Sequence, residues 1–286
     1  MGNSLHTLAI NTTSKHVSVA IFRDQELVCG LDSREKSALQ PNEGGRKLAG
    51  ANDILPEGYV RKRSKGGSKT SRIFPPGASV LLAPMISSLQ TESGVKLADV
   101  DLIALATGPG SFTSLRVGVV TAKALAYSVN AELIGVNTLE VVAAQSVIFQ
   151  SETKTDKALR FGDQVHPVIN AQRQQLFSGC YVISENWKVE QVCPDSIVDR
   201  QSWISALDET DSITGAGLKP IIDDVKAAHP NIKIADESNW ECSAEAVGRL
   251  ALQQYENGKR DDLWTLAPTY FRPSTAEEIR NQNLAN

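Results

Sequence analysis

The chain has few cysteines, and no two of them lie close together in the sequence. Its 286 residues include four, which are Cys29, Cys180, Cys193 and Cys242. Such wide spacing argues against a zinc ribbon, a redox dithiol motif and a disulfide scaffold, and it favours a reducing compartment. We therefore expect the protein in the cytoplasm.

Long apolar runs are missing as well. No stretch approaches the roughly 18 residues that a membrane-spanning helix needs. The N-terminus has no basic segment followed by an apolar one, so we expect no signal peptide. With 41% hydrophobic and 22% charged residues, the composition is that of a globular protein with a substantial core. The sequence predicts no contact with a membrane.

One segment differs from the rest in its charge. Residues 41–76 carry eight Lys and Arg against three Asp and Glu, whereas the whole chain has a net charge of -4. The segment is rich in Gly, Ser, Asn and Pro and has no apolar periodicity, which predicts a disordered surface insertion. The alternative is a flexible arm that contacts RNA phosphates, and a single cluster of charges does not separate the two.

The first half of the chain begins with a predicted β-hairpin. The apolar runs Leu8–Ile10 and Val17–Phe22 flank a polar tip that starts at Asn11. Farther on, Leu81–Leu89 has apolar residues at helical spacing, and Leu115–Tyr127 is a helix-forming stretch rich in small residues. The order of these elements predicts an α/β fold with a mixed sheet.

A second predicted hairpin repeats the first. The runs Val165–Asn170 and Leu176–Ile183 flank another polar tip, which again begins near an Asn. This is a weak internal repeat, because the two tips share little else. Between the hairpins, Thr138–Ser146 is predicted as a helix with Thr138 as its N-cap.

A glycine-rich segment carries a specific resemblance. It reads GPGSFTSLRVG and begins with Gly108, Pro109, Gly110, Ser111, Phe112 and Thr113. The segment resembles the GPGSFTGLRIG signature of the TsaB (YeaZ) family. Weaker matches follow the family's order over nearly the whole chain, apart from the basic insertion. They lie at Leu8–Thr13 (family AIDTST), Gly135–Leu139 (GVSTL), Val168–Arg173 (VIDAR) and Pro268–Arg272 (PVYLR).

The resemblance implies a fold and a division into lobes. The fold would be two-lobed and actin-like, of the ASKHA and ribonuclease H-like type, with duplicated mixed β-sheets. The first lobe would comprise residues 1–139, completed by residues 264–286, with residues 41–76 as an insertion. The second lobe would comprise residues 140–263.

The resemblance also implies a function. The family takes part in making N6-threonylcarbamoyladenosine (t6A) in tRNA, as a non-catalytic subunit that binds and stabilises the TsaD transferase. A TsaE-type ATPase joins the two, and tRNA is contacted through the complex. No cofactor is expected in this chain, since ATP and metal would belong to the partner subunits. The isolated chain could form a homodimer through the same surface.

The residues at the two hairpin tips bear on catalysis. A phosphotransferase of this fold needs acidic side chains there to hold Mg²⁺, yet this chain has Asn11 and Asn170 where the family usually has Asp. Either change weakens a metal site, or each Asn closes a turn through its side chain. The changes argue against a small-molecule kinase, which stays an alternative function beside an RNA-binding adaptor.

Metal and thiol chemistry have no clear set of residues either. The four histidines, His6, His16, His166 and His229, include no pair one helical turn apart, which argues against a metallopeptidase. Nothing in the sequence pairs a cysteine with a histidine as a nucleophile and base. We therefore expect no catalytic residues and no metal ligands in this chain.

The glycine segment has two interpretations. Gly108 and Gly110 permit a tight turn, and Ser111 or Thr113 could cap the helix that follows. The free N–H groups of that helix could instead bind a phosphate, although no Walker lysine follows.

The helix after the glycine segment is the candidate partner surface. Gly118, Ala122 and Ala126 form a small-residue face, which serves either another chain or the domain's own core. The family resemblance implies that this helix and the one before it contact TsaD. The predicted interface comprises Leu82, Met85, Leu89, Leu115, Arg116, Gly118, Val119, Ala122 and Ala126. Arg116 would pair with a partner carboxylate or be solvated, and Ala122→Arg would abolish co-elution while leaving the chain folded.

Overall fold

The structure is a computed structural model that describes residues 4–34, 77–149 and 158–272. The predicted insertion, residues 41–76, lies outside the described residues. The first sheet has the strand order β3-β2-β1-β4-β5. Its strands are β1 (His6–Asn11), β2 (Ser18–Arg23), β3 (Glu26–Asp32), β4 (Leu102–Gly108) and β5 (Glu132–Asn137).

The second sheet repeats the plan of the first. Its order is β10-β9-β6-β7-β8. Each sheet starts with three antiparallel strands, and its first strand then pairs in parallel with a fourth, which pairs in parallel with a fifth. The repeat predicted from the two hairpins thus extends to all five strands. The strands are β6 (Gln164–Gln172), β7 (Gln175–Ile183), β8 (Val189–Asp199), β9 (Ser212–Thr214) and β10 (Lys233–Ile234).

The described residues form six α-helices. They are α1 (Ala78–Ser93), α2 (Phe112–Val129), α3 (Thr138–Ile148), α4 (Arg200–Ser205), α5 (Ile222–Ala228) and α6 (Ala244–Glu256). The helix predicted over Leu81–Leu89 is confirmed as α1, which ends where Gly94 takes a left-handed conformation with φ 70°. None of the described helices is long and apolar enough to cross a membrane.

The predicted N-cap of α3 is wrong by one residue. The cap is Asn137, whose side-chain oxygen accepts a hydrogen bond of 2.8 Å from the Leu139 N–H. Asn137 has the extended backbone that a cap needs, whereas Thr138 is already helical. The Thr138 hydroxyl is buried and has no hydrogen-bond partner among the described residues.

Helices cover both faces of the first sheet. α1 and α2 pack on one face, where Leu81 and Met85 belong to the core. α6 packs on the other face through Val247 and Leu250. α3 lies between the two sheets, since it contacts strands of both. The predicted lobe boundaries stay a prediction, but this packing argues for moving α6 from the second lobe to the first.

Candidate functional site

Asn11, at the tip of the first hairpin, is buried with all its polar atoms bonded. Its side-chain oxygen accepts from the N–H and the hydroxyl of Thr13, at 3.0 and 2.8 Å. Its side-chain amide donates to the Cys242 carbonyl oxygen at 2.6 Å and to the Ser18 hydroxyl at 3.2 Å. A carboxylate could not make the bond to the Cys242 carbonyl oxygen, because it has no proton to donate. These contacts match the turn-closing interpretation of Asn11.

The second tip is tighter than the sequence predicts. The strands β6 and β7 continue until only Arg173 and Gln174 remain between them. Both have positive φ, 49° and 61°, as in the two-residue turns that suit the twist of a hairpin. Asn170 is exposed, and its side-chain oxygen accepts from the Gln172 N–H at 2.8 Å. This Asn also closes a turn, but at the surface.

The glycine turn holds three segments together. Gly108 has φ 126°, and a Cβ there would lie 2.8 Å from the Thr269 carbonyl oxygen. A Cβ at Gly110 would collide with the carbonyl oxygen of Thr13. The next N–H, of Ser111, donates to that same oxygen at 2.6 Å. Glycine is required here because the first hairpin tip and the chain near Thr269 approach so closely.

The start of α2 matches neither a helix capped by the Ser111 side chain nor an open phosphate site. Ser111 occupies the N-cap position, but its side chain makes no capping hydrogen bond, so the predicted side-chain cap is wrong for this residue. The Ser111 N–H is already bonded to the first hairpin tip. Pro109 has no N–H, so neither it nor Ser111 can donate to an anion at this turn. The contacts favour a packing role.

Arg116 is engaged within the chain, although it is exposed. Its guanidinium carbon lies 4.0 Å from the centre of the Phe112 ring, and its Nε donates to the Tyr270 hydroxyl at 3.0 Å. The Phe112 and Tyr270 rings are 4.6 Å apart. Arg116 is therefore not simply solvated, and a partner carboxylate for it stays a prediction.

Residues 269–272, which we call the C-terminal strap, contact both sheets. The Thr269 N–H donates to the carbonyl oxygen of Thr107 in β4 at 2.8 Å. The Phe271 ring lies 5.8 Å from that of Phe177 in β7. The Arg272 guanidinium donates to the Ala171 carbonyl oxygen in β6 at 3.1 Å. The strap therefore joins the tip region of one sheet to that of the other.

Most of the predicted interface residues lie in the core of this chain. The buried ones are Leu82, Met85, Leu89, Leu115, Gly118, Val119, Ala122 and Ala126. Arg116 is the exception. Gly118 lies against Thr12 of the first hairpin, and a Cβ there would collide with the Thr12 hydroxyl. The small-residue face thus lets α2 approach its own sheet. A partner would therefore have to contact the exposed side of the same helix.

That exposed side carries large apolar residues. Val120 is 67% exposed, Tyr127 70% and Trp264 73%. The Tyr127 and Trp264 rings meet edge to face at 5.9 Å. Lys123 fixes the chain at this point, since its Nζ donates to the Trp264 carbonyl oxygen at 3.0 Å. We call Val120, Ala124, Tyr127 and Trp264 the α2 outer patch, and exposed apolar groups of this kind mark contact surfaces.

The sequence held a signal for part of this patch. Val120, Ala124 and Tyr127 recur at helical spacing on the side of α2 away from Gly118. Trp264 lies in an irregular segment far along the chain, so no periodicity could place it there.

Two of the thiols and two of the imidazoles are held by burial or by hydrogen bonds. Burial raises the pKa of Cys242 to about 12 and that of Cys180 to about 12, so both stay protonated and weakly nucleophilic near neutral pH. His229 is joined through Nε2 to the Ile204 carbonyl oxygen at 2.8 Å. His6 is joined through Nδ1 to the Asp99 carbonyl oxygen at 3.1 Å.

Two features of the described part of the chain bear on metal and nucleotide binding. Within residues 4–34, 77–149 and 158–272, no three His, Cys, Asp or Glu side chains are grouped as metal ligands. The glycine turn at Gly215 is packed against β6, because a Cβ there would collide with the Val168 carbonyl oxygen. It is therefore a closely packed turn.

A cleft of about 250 Å³ lies between β2, β3 and the start of α6. Asp32 and Arg34 line it and form an ion pair of 2.5 Å, and the Arg34 Nε also lies 2.9 and 3.0 Å from the two carboxylate oxygens. Because the two groups satisfy each other, neither is poised to bind a charged ligand.

Relatives of known family resemble this chain over most of its length. The family model of TsaD, tRNA N6-adenosine threonylcarbamoyltransferase, matches residues 77–197. The tRNA threonylcarbamoyladenosine biosynthesis protein TsaB of Bacillus subtilis is 33% identical over 205 residues, which is 70% of this chain and 81% of the relative. The protein of the same name from Escherichia coli is 27% identical over 201 residues, 68% of this chain and 80% of the relative.

A solved structure shows the same fold. A Pseudomonas aeruginosa protein, described as similar to the peptidase YEAZ, superposes with a TM-score of 0.66 at 19% identity. The match covers 94% of this chain and 100% of that one. It confirms the predicted two-lobed, actin-like fold class. The duplicated fold agrees with the sequence comparison, in which this chain is 33% identical to the B. subtilis TsaB protein and covers 81% of it. This chain therefore belongs to the TsaB family.

Proposed function

We propose that this chain is a non-catalytic subunit required for t6A modification of tRNA, and that it binds and stabilises a TsaD-type transferase. The observation that carries the proposal is the similarity to the B. subtilis TsaB protein over 81% of that protein. ATP and metal would be held by the partner subunits. A TsaE-type ATPase and tRNA would join through the complex.

The proposed contact is the α2 outer patch. Val120 and Tyr127 are two-thirds or more exposed although they are large and apolar, and burying them against a partner would remove that surface from water. The family model of TsaD matches residues 77–197, a range that includes α1 and α2. A partner of related fold would present an equivalent pair of helices, so the two faces could meet about a pseudo-two-fold axis. In isolation, the same patch would support a homodimer.

The chemistry of the tip region is consistent with a supporting role. A buried Asn11 that donates to a carbonyl oxygen is a poor replacement for a metal-binding carboxylate. The glycine turn is filled by the Thr13 carbonyl and the C-terminal strap rather than open to a phosphate. Both features favour a subunit that acts by binding.

Reconstitution of the modification tests this function. The assay contains tRNA, threonine, bicarbonate, ATP, the enzyme that makes threonylcarbamoyl-AMP, TsaD and TsaE, with and without this chain, and the modified nucleoside is counted by mass spectrometry. We expect product only when the chain is present, and neither product nor ATP hydrolysis by the chain alone. Equal product without the chain would contradict the proposal.

Two further outcomes would point to the alternatives. ATP turnover by the chain alone, with phosphate appearing on a small molecule, would favour a kinase. Salt-dependent tRNA affinity that disappears when residues 41–76 are deleted would show an RNA-binding arm. Unchanged tRNA affinity after that deletion would remove the adaptor role.

A further inference from the structure

Two of the four cysteines lie side by side across neighbouring strands. Cys180 in β7 and Cys193 in β8 are direct partners in the antiparallel register. Directly opposed residues in such a pair have Cα atoms about 4.5–5.5 Å apart, and a disulfide needs about 4.4–6.8 Å. Directly paired residues of an antiparallel ladder place their side chains on the same face of the sheet, so the two thiols are neighbours there. The sequence prediction that no two cysteines are close holds along the chain but not across the sheet.

The two thiols differ in access. Cys193 is exposed and lies on β8, the last strand of its sheet, whereas Cys180 is buried behind it. Cys180 also donates to the Gln164 side-chain oxygen at 3.8 Å. An exposed thiol backed by a buried one is the arrangement in which the first reacts with an oxidant and the second resolves the product.

The strand pairing around the two cysteines is irregular. The register shifts between Ser178 and Cys180 and again between Cys180 and Tyr181. An interrupted ladder gives the backbone room to adjust, since bulged residues are not all held by ladder hydrogen bonds. This makes the pair better able to reach the geometry of a disulfide than a pair in a regular ladder.

We propose that Cys180 and Cys193 are a redox-responsive pair that forms a reversible intramolecular disulfide with a low-molecular-weight disulfide as oxidant. The Cys193 thiolate attacks one sulfur of the small disulfide, which releases one small thiolate. The released small thiolate takes the Cys180 proton, and the Cys180 sulfur then attacks the Cys193 sulfur and displaces the second small thiolate. Two protein thiols are oxidised to one disulfide while one small disulfide is reduced to two thiols, and the two protein protons pass to the released thiolates.

The cross-link would lie beside a contact between the two sheets. Asp195, two residues beyond Cys193, accepts a hydrogen bond from the Asn137 side-chain amide at 2.5 Å and another from the Tyr181 hydroxyl. Asn137 ends β5 of the first sheet and caps α3. Oxidation would therefore fix the part of β8 that carries this contact. The proposal does not depend on the function of the chain.

Tryptic mapping of the full chain tests the pair directly, because Lys188 lies between the two cysteines. The protein is incubated with glutathione disulfide, free thiols are blocked with N-ethylmaleimide, and the digest is run without reductant. We expect peptides 174–188 and 189–200 joined in one species, which dithiothreitol separates. Mass spectrometry of the intact, denatured protein should show the mass of one chain less two hydrogen atoms.

Variants give the control. Cys29→Ser should keep the cross-link, whereas Cys193→Ser should lose it and leave the fold intact, since residue 193 is exposed. A stable glutathione adduct on Cys193 without the cross-link, or a dimer joined through Cys193, would overturn the proposal. The wild-type digest alone decides the question even if a variant at Cys180 fails to fold.

Discussion

The side-chain amide of Asn11 donates a hydrogen bond to the main-chain carbonyl oxygen of Cys242, 2.6 Å away and 231 positions later in the chain. The bond joins the tip of the first hairpin to the segment that leads into α6. Since α6 covers one face of the first sheet, this contact fixes the start of a helix on which the sheet depends.

Replacing Asn11 by Asp should destabilise the chain in a pH-dependent way. The new carboxylate would be buried and would face the Cys242 carbonyl oxygen, so its pKa would rise well above that of an exposed Asp. A raised folded-state pKa means that stability is present at low pH and is lost as the pH increases above about 4. We expect a loss of about 3 kcal/mol near neutral pH and a smaller one in acid, measured by urea unfolding.

Asn170→Asp is the matched control. The side-chain oxygen of Asn170 accepts hydrogen bonds from the Gln172 N–H and from the Arg200 guanidinium. A carboxylate at this exposed position would keep both bonds. We expect a change within about 0.5 kcal/mol with little pH dependence. Equal losses for the two variants would show that the Asn11 bond to Cys242 has no special weight.

Substitutions at Ala122 and Val120 should distinguish an effect on folding from an effect on partner binding. Ala122 is fully buried, so Ala122→Arg should destabilise the chain by about 3 kcal/mol or more, which corrects the sequence expectation of a folded variant. Val120 is 67% exposed, so Val120→Arg should leave the unfolding midpoint unchanged and abolish co-elution with a TsaD-type partner. Retained co-elution of a folded Val120→Arg variant would rule out the α2 outer patch.

A methyl group at Gly110 should cost stability through a single contact. It would collide with the carbonyl oxygen of Thr13, which is held by the N–H of Ser111. We expect Gly110→Ala to lose about 2 kcal/mol in chemical denaturation. Gly30→Ala is the control, because its nearest neighbour would lie at an ordinary 3.9 Å. If both variants lose the same stability, the close approach to Thr13 is not the reason for a glycine at position 110.

Cys242 should make the protein weaker in alkali. Burial raises its pKa to about 12, above that of an unfolded thiol. The protonated thiol therefore contributes stability that is fully present below about pH 8 and is lost as the pH rises towards 12. The stability difference between the wild type and Cys242→Ala should shrink between about pH 8 and about pH 11, as followed by urea unfolding. A constant difference would contradict this linkage.

Much of the fold follows from local patterns. The hairpins at Asn11 and Asn170 were visible because apolar runs flank polar tips. Helix α1 was visible because apolar residues recur at helical spacing, and α2 because its stretch is rich in small, helix-forming residues. The cap of α3 was missed by one residue, since Asn137 and Thr138 are both good caps and only the backbone angles decide between them.

The site was harder to predict than the fold. A helix with Gly118, Ala122 and Ala126 on one face reads the same whether that face meets the chain's own sheet or another protein. The contact with Thr12, which decides the matter, joins residues more than a hundred positions apart. Trp264 and the Cys180–Cys193 pair were missed for a similar reason. The spacing of residues along the chain predicts neither the register of two strands nor where a distant irregular segment packs.

The position of α6 has a consequence for how the protein is made. The strands of the first sheet are complete by Asn137, yet the face that α6 covers has no partner until residues 244–256 have been synthesised. The second sheet and its helices lie between these two points in the chain. On the ribosome, the first sheet therefore emerges first but is completed last. Its apolar face stays uncovered by α6 while the second sheet is synthesised and folds.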